Sequence, residues 1–146
     1  MDFSIPKHYT NGVLTGDDLK FFYYDIGLDN LQDAPVLYDW DNVVNEFSGD
    51  IRIIPSKDEI AEFSDMNTIK FHIREFDQSA AAFIRHLRNA FSHYLIIREN
   101  DTFYITDQRN KNGKTMITMR GIVKADVLKK FCFRLFDTHD NLNIYG

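Results

Sequence analysis

A chain of 146 residues that is 44% hydrophobic and includes 13 phenylalanines can bury a core of its own and suits one domain, residues 1–146. Its single cysteine excludes a disulfide framework, and neither a long apolar run nor a basic-then-apolar leader is visible, so a cytoplasmic protein with no membrane attachment is expected. The net charge of -5 hides a division: residues 1–84 hold 6 Lys+Arg against 16 Asp+Glu, whereas residues 85–134 hold 11 against 4. Such a basic block suits either a polyanion such as nucleic acid or pairing with the acidic half.

In chain order, Leu19, Phe22, Tyr23 and Ile26 follow Thr15 and the acidic pair Asp17 and Asp18 at helical spacing. Leu37, Trp40, Val43, Val44 and Phe47 follow Pro35 and stop at Gly49, predicting a second amphipathic helix. IRII reads as extended, and Ser56 with Glu59 forms a capping box for a short helix over KDEIAEF. TIKFHI suits a strand by alternation and a helix by its place in a longer apolar period, and the helix is clear only from Ser79. After Tyr94, YLIIR and TFYIT flank the turn END, QRNKNGK interrupts, and TMITM follows, predicting a small antiparallel sheet. With Arg109, Lys111 and Lys114, QRNKNGK suits an RNA backbone, although a solvated hairpin connection is the preferred reading. ADVLKKFCFRLFD returns to helical spacing through Val127, Leu128, Phe131 and Leu135, and burying Cys132 there makes it an inert thiol.

The stretch AAAFIRHLRNAFSHYLII carries the chemistry. At about 100° per residue, Ala80, Phe83, Ile84, Leu87, Ala90, Phe91 and Tyr94 share one face. Arg85, His86, Arg88, Asn89, Ser92 and His93 occupy the opposite arc of roughly 160°. A solvated helix face accounts for such a stripe. Yet Arg88 and His93 lie about 140° apart around the axis and ~7.5 Å along it, within reach of one phosphate, and a twofold pair of such helices would gather two of each around a shared cleft.

HLRNAFSHYLI, with a small sheet and a further helix after it, resembles the R-x4-6-H motif of the HEPN superfamily over residues 79–136, and Arg88, Asn89 and His93 match it. The resemblance implies a mainly α, HEPN-like helical bundle of α+β type, with a small antiparallel sheet inserted before the C-terminal helix. It also implies a homodimer formed through the motif helix and, in many members, a metal-independent endoribonuclease of toxin-antitoxin or antiviral defence systems. RNA or nucleotide would be the ligand, with an antitoxin as a further partner in toxin-type members. One branch of HEPN toxins has a tyrosine two places beyond the histidine that a nucleotidyltransferase modifies; here Leu95 stands there. Tyr94 comes one place early on the core face, and a structural role is preferred for it.

On that reading the substrate's 2′-hydroxyl attacks phosphorus. Imidazole titrates near neutral pH, so His93 can move the protons, and Arg88 can donate two hydrogen bonds to the phosphate as charge builds. Asn89 would orient the histidine or the phosphate, Ser92 would add a hydroxyl contact, and Arg85 and His86 would line the cleft. DNA would bind uncut. His8, His72 and His139 show no metal-ligand spacing, so no metal and no cofactor is expected. The alternatives are a non-catalytic HEPN-like domain that binds RNA or nucleotide as an interaction module, and a purely structural interaction protein.

Overall fold

The computed structural model describes residues 14–31 and 39–145, leaving aside the side chains of 30, 31 and 137–145. Expectations that fall on His8, Pro35 and Leu37, and on the side chain of His139, lie outside that range.

The first predicted helix forms in two parts. α1 (Gly16–Lys20) opens with a capping box in which Thr15 Oγ1 accepts the Asp18 N–H at 3.0 Å and the Asp18 carboxylate accepts the Thr15 N–H at 3.2 Å. It widens into a π-helical turn over Phe21–Asp25, which buries Phe22 against Phe91 at 4.6 Å between ring centroids. Gly27, at φ +71, then reverses the chain into α2 (Leu28–Leu31). α3 (Trp40–Glu46) is the second predicted helix.

The expected helical bundle is not what the chain forms. Five strands make one mixed sheet in the order β1-β2-β5-β4-β3, with β1 (Arg52–Ser56) parallel to β2 (Thr68–His72) and the other pairings antiparallel. Alternation decides TIKFHI: Ile69 and Phe71 turn inward and are fully buried, a phase that only a strand sustains. The capping box at Ser56 fails for a local reason. Ser56 ends β1 and its Oγ accepts the N–H of Asp58, two residues on, at 3.1 Å, so a turn replaces helix initiation. KDEIAEF is a connection, tethered where the Ile60 N–H reaches the Ile117 carbonyl.

The expected antiparallel sheet forms from β3 (Ile96–Glu99), β4 (Thr102–Lys111) and β5 (Lys114–Lys124). QRNKNGK does not interrupt it. β4 runs through to Lys111, and only Asn112 and Gly113, at φ +54 and +77, make the turn, as an Asn-Gly pair does in a type I′ hairpin. At the centre of the sheet Gly121 lies between Ile69 and Ile105, and a Cβ there would come within 2.9 Å of Ile69 Cγ1.

α4 (Ser79–Ser92) and α5 (Ala125–Tyr145) meet α3 over Phe71, where the rings of Trp40, Phe83 and Phe131 pack 5.4 to 6.1 Å apart. Phe83 and Phe131 are fully buried, each stabilising the fold by about 1.5–3 kcal/mol through apolar area removed from water. Cys132 is enclosed in the same core, and burial pushes its thiol far up, as expected of an inert residue. No helix among the described residues is long and apolar enough to cross a membrane.

Charge joins the two halves of the chain. Asp18, wholly buried, receives Arg98 from β3 and Lys129 from α5, each at 2.7 Å. Asp77 pairs with Arg85, Glu46 with Arg134 and, more loosely, Glu62 with Arg120. Much of the basic block is thus matched to the acidic segment rather than displayed.

Candidate functional site

α4 presents its apolar face to the core as its spacing predicts, with Ala80, Phe83, Ile84, Leu87, Ala90 and Phe91 buried. The helix ends at Ser92 with His93 as its cap. There the Leu95 N–H bonds the Ala90 carbonyl at 2.8 Å and the Tyr94 N–H bonds Phe91, a Schellman closure that puts Tyr94 at φ +64. Tyr94 therefore leaves the helix and stands 47% exposed, not on the core face where unbroken helical periodicity would carry it.

The polar arc is divided between two sides. Arg88 and Ser92 lie toward the π-helical turn, where the Ser92 hydroxyl is 3.5 Å from that of Tyr23. Burial raises the Tyr23 pKa and Asp29 adds to the rise, against the Ser92 hydrogen bond and the Arg88 charge. Arg85, Asn89 and His93 face the other way, onto a cleft of about 240 Å³ between α4, the end of β2 and the middle of β4 and β5. Arg88 is not in that lining, but its Nη2 donates to Asn89 Oδ1 at 3.0 Å, so Asn89 links the arginine to the wall that carries His93. His93 is exposed at the rim.

His86 is the correction. Helical spacing sets it on the exposed arc, but it is only 6% exposed, because β4 rises against the edge of α4 on that side. Its Nδ1 lies 2.7 Å from Asp107 Oδ2 and its Nε2 2.8 Å from the His72 carbonyl. Both ring nitrogens thus meet oxygen partners, and the other Asp107 oxygen takes the Gln108 N–H at 2.9 Å. His86 locks α4 to β2 and β4, and only its edge reaches the cleft. Arg85 also lines the cleft, with its charge paired to Asp77 at 3.2 Å.

Sequence reasoning missed most of the opposite wall: His72, Arg74, Asp107, Gln108 and Thr118. Arg109, which the sequence presents only as part of a basic loop, lies there too. A signal for Asp107 existed, since it continues the inward phase of Phe103 and Ile105 and so needs a buried partner. The cleft is electropositive. Burial lowers the pKa of His72, and the charges of Arg109, His86 and Arg74 lower it further, against a hydrogen bond to the Lys57 backbone. A hollow of about 320 Å³ at the tip of the β4–β5 hairpin, rimmed by Glu59, Lys111 and Lys114, shares no residue with it.

No curated protein and no solved structure matches the chain. The HEPN pEK499 p136 family model matches residues 27–145, which takes in β1 and β2 and α2 to α5 as well as the motif helix. Covering most of the chain and every strand of the sheet, that match establishes that the protein belongs to the HEPN pEK499 p136 family.

Proposed function

We propose that the protein is a metal-independent endoribonuclease of HEPN type. The observation that carries this reading is the cleft at the C-terminal end of α4, where His93 and Asn89 face Arg74 and Arg109, two guanidiniums without an ion pair among the described residues. In the reaction the RNA 2′-hydroxyl attacks the adjacent phosphorus and gives up its proton to an imidazole. The bond from phosphorus to the 5′-oxygen breaks and that oxygen takes a proton, leaving a 2′,3′-cyclic phosphate and a 5′-hydroxyl. The nucleophile belongs to the substrate, so the protein needs to move protons and stabilise an extra negative charge. The first task falls to His93, a role its exposure at the cleft rim supports. The second task falls to Arg88, bonded to Asn89 beside the rim, on the reading that two copies pair through the ends of α4 and a second copy's Arg88 closes over the cleft. Such an activity suits a toxin or defence role.

The test is incubation of purified protein with single-stranded RNA in excess chelator. Fragments ending in cyclic phosphate are expected, lost in His93→Ala and reduced in Arg88→Ala, with DNA of the same sequence intact. RNA left whole by the wild-type protein, or cut equally by His93→Ala, overturns the reading. One observation favours a second possibility: within one chain Arg88 points toward Tyr23 and not into the cleft. A non-catalytic RNA- or nucleotide-binding module would retain RNA under the same conditions without cutting it.

A further inference from the structure

The proposed reaction draws on the positive charge of the opposite wall but gives no task to its individual groups. Two buried polar atoms in that wall, Thr118 Oγ1 and Arg109 Nε, have no hydrogen-bond partner among the described residues. Thr118 is 2% exposed, and the sheet turns it inward by a bulge: Asp107 pairs with Met119 and Gln108 with Ile117, so Thr118 is left opposite no residue. Consecutive residues of a regular strand face opposite ways, yet Thr118 and Met119 are both buried. Bulges recur beside functional sites because they re-aim a side chain in this manner.

A valine would fill the same space without an orphan hydroxyl, which is destabilising when enclosed and unbonded. The surroundings point to what would complete it. Arg74 and Arg109 line the same cleft, and neither guanidinium forms an ion pair among the described residues. Among them the one carboxylate in the lining, Asp107, is engaged by His86 and the Gln108 N–H. Asp77, outside the lining, takes the Arg85 guanidinium and the Arg74 N–H and feels the Arg74 charge. A guanidinium and a hydroxyl together suit a tetrahedral oxyanion, whose oxygens accept from several directions at once.

We propose that this wall is a second phosphate subsite, in which Arg109, Arg74 and the Thr118 hydroxyl hold the phosphodiester next to the one presented to His93. The identity of the strand rests on the ribonuclease reading; the anion subsite does not.

The test uses the full chain carrying His93→Ala, titrated with inorganic phosphate and with a short 2′-O-methylated RNA that cannot be cut, and read by amide and guanidinium NMR shifts. Both probes are expected to shift the Thr118 amide and the Arg109 Nε–H, beyond the effect of chloride at equal ionic strength. Arg109→Gln is expected to weaken both probes roughly tenfold and Thr118→Val about threefold, with Thr118→Ser close to wild type. Thr118→Val should keep or raise the melting temperature, since it removes an unbonded hydroxyl. Equal affinity in Arg109→Gln, or a Thr118→Val protein that unfolds more easily, overturns the subsite. Phosphate bound without the oligonucleotide overturns the strand and leaves a free phosphate or nucleotide as the ligand. If wild-type protein cuts RNA while neither probe reaches Thr118, the subsite fails alone; if both probes bind there and RNA stays whole, the ribonuclease reading fails alone.

Discussion

Asp18 and Thr118 are both polar and both almost wholly enclosed, but the fold treats them oppositely. Around Asp18 every bonding need is met: Arg98 and Lys129 bring positive charge at 2.7 Å and Thr15 supplies a backbone donor, so three elements are tied to one carboxylate. Around Thr118 the hydroxyl has no partner among the described residues, and the nearby Arg74 and Arg109 guanidiniums form no ion pair among them, although the Arg74 charge reaches Asp77. The acidic and basic halves of the chain therefore answer both questions their charges raised. Where they pair, the pair holds the structure together. Where pairing stops, in the cleft beside His93, positive charge is left for an anion to meet.

That contrast can be broken by substitution. The largest effect is expected for His93→Ala, which should lower cleavage by about 100- to 10,000-fold, the usual worth of a positioned acid or base, and leave the melting temperature alone because His93 is exposed at the end of its helix. Asp18→Asn should do the reverse. It leaves two buried-end cations without their carboxylate and should lower stability by about 2–3 kcal/mol, below the usual cost of breaking a buried pair because Arg98 and Lys129 keep 26% and 27% of their side chains exposed. Phosphate affinity of the folded fraction should not change. Acid titration sharpens the point. Burial pushes the Asp18 carboxyl up, but the hydrogen bonds from Lys129, Arg98 and Thr15 outweigh it and hold the pKa below its ordinary 3.8. A carboxylate lowered in the folded state adds stability above the unfolded value and loses it as pH falls through the folded one, so denaturant midpoints should drop below pH 3.8 in wild type and less in Asp18→Asn.

Next in size stands Asp107→Asn. The amide keeps the shape of the carboxylate but not its charge, and should cost about 1.5 kcal/mol through the weakened bond to His86, measured by urea unfolding. Because His86 spans from Asp107 to the His72 carbonyl, the same variant should also loosen the cleft and weaken phosphate binding, where Asp18→Asn does not.

How far these residues were legible in the sequence follows from the range over which each is determined. The inward face of α4, the antiparallel strands and the buried Cys132 rest on local periodicity, which the chain displays. The parallel β1–β2 edge rests on pairing between segments joined by an irregular connection, and two runs of five residues give little local sign of it. His86 lies at the edge of the polar arc, and whether that edge meets water is decided by where β4 lands, twenty-one residues later at Asp107. Thr118 is harder still. Only a register shift in β5 turns it inward, and strict alternation assigns it to the other face.

Tyr94 carries the smallest expected effect and the most local test. Helical spacing takes it to the core face, but the helix closes one residue earlier and leaves it at φ +64, where a side chain crowds its own backbone and glycine does not. Tyr94→Gly should therefore raise stability by about 0.5–1 kcal/mol, the relief at the turn less the extra freedom of glycine in the unfolded chain. Tyr94→Ala separates backbone from side chain, for it removes the ring and keeps the Cβ that causes the crowding. If alanine stabilises as much as glycine in thermal unfolding, the ring is the source and the strained closure is not. If glycine alone stabilises, a residue adjoining His93 is held in a costly conformation, and His93→Ala and Tyr94→Gly should act independently, the first on cleavage and the second on the melting temperature.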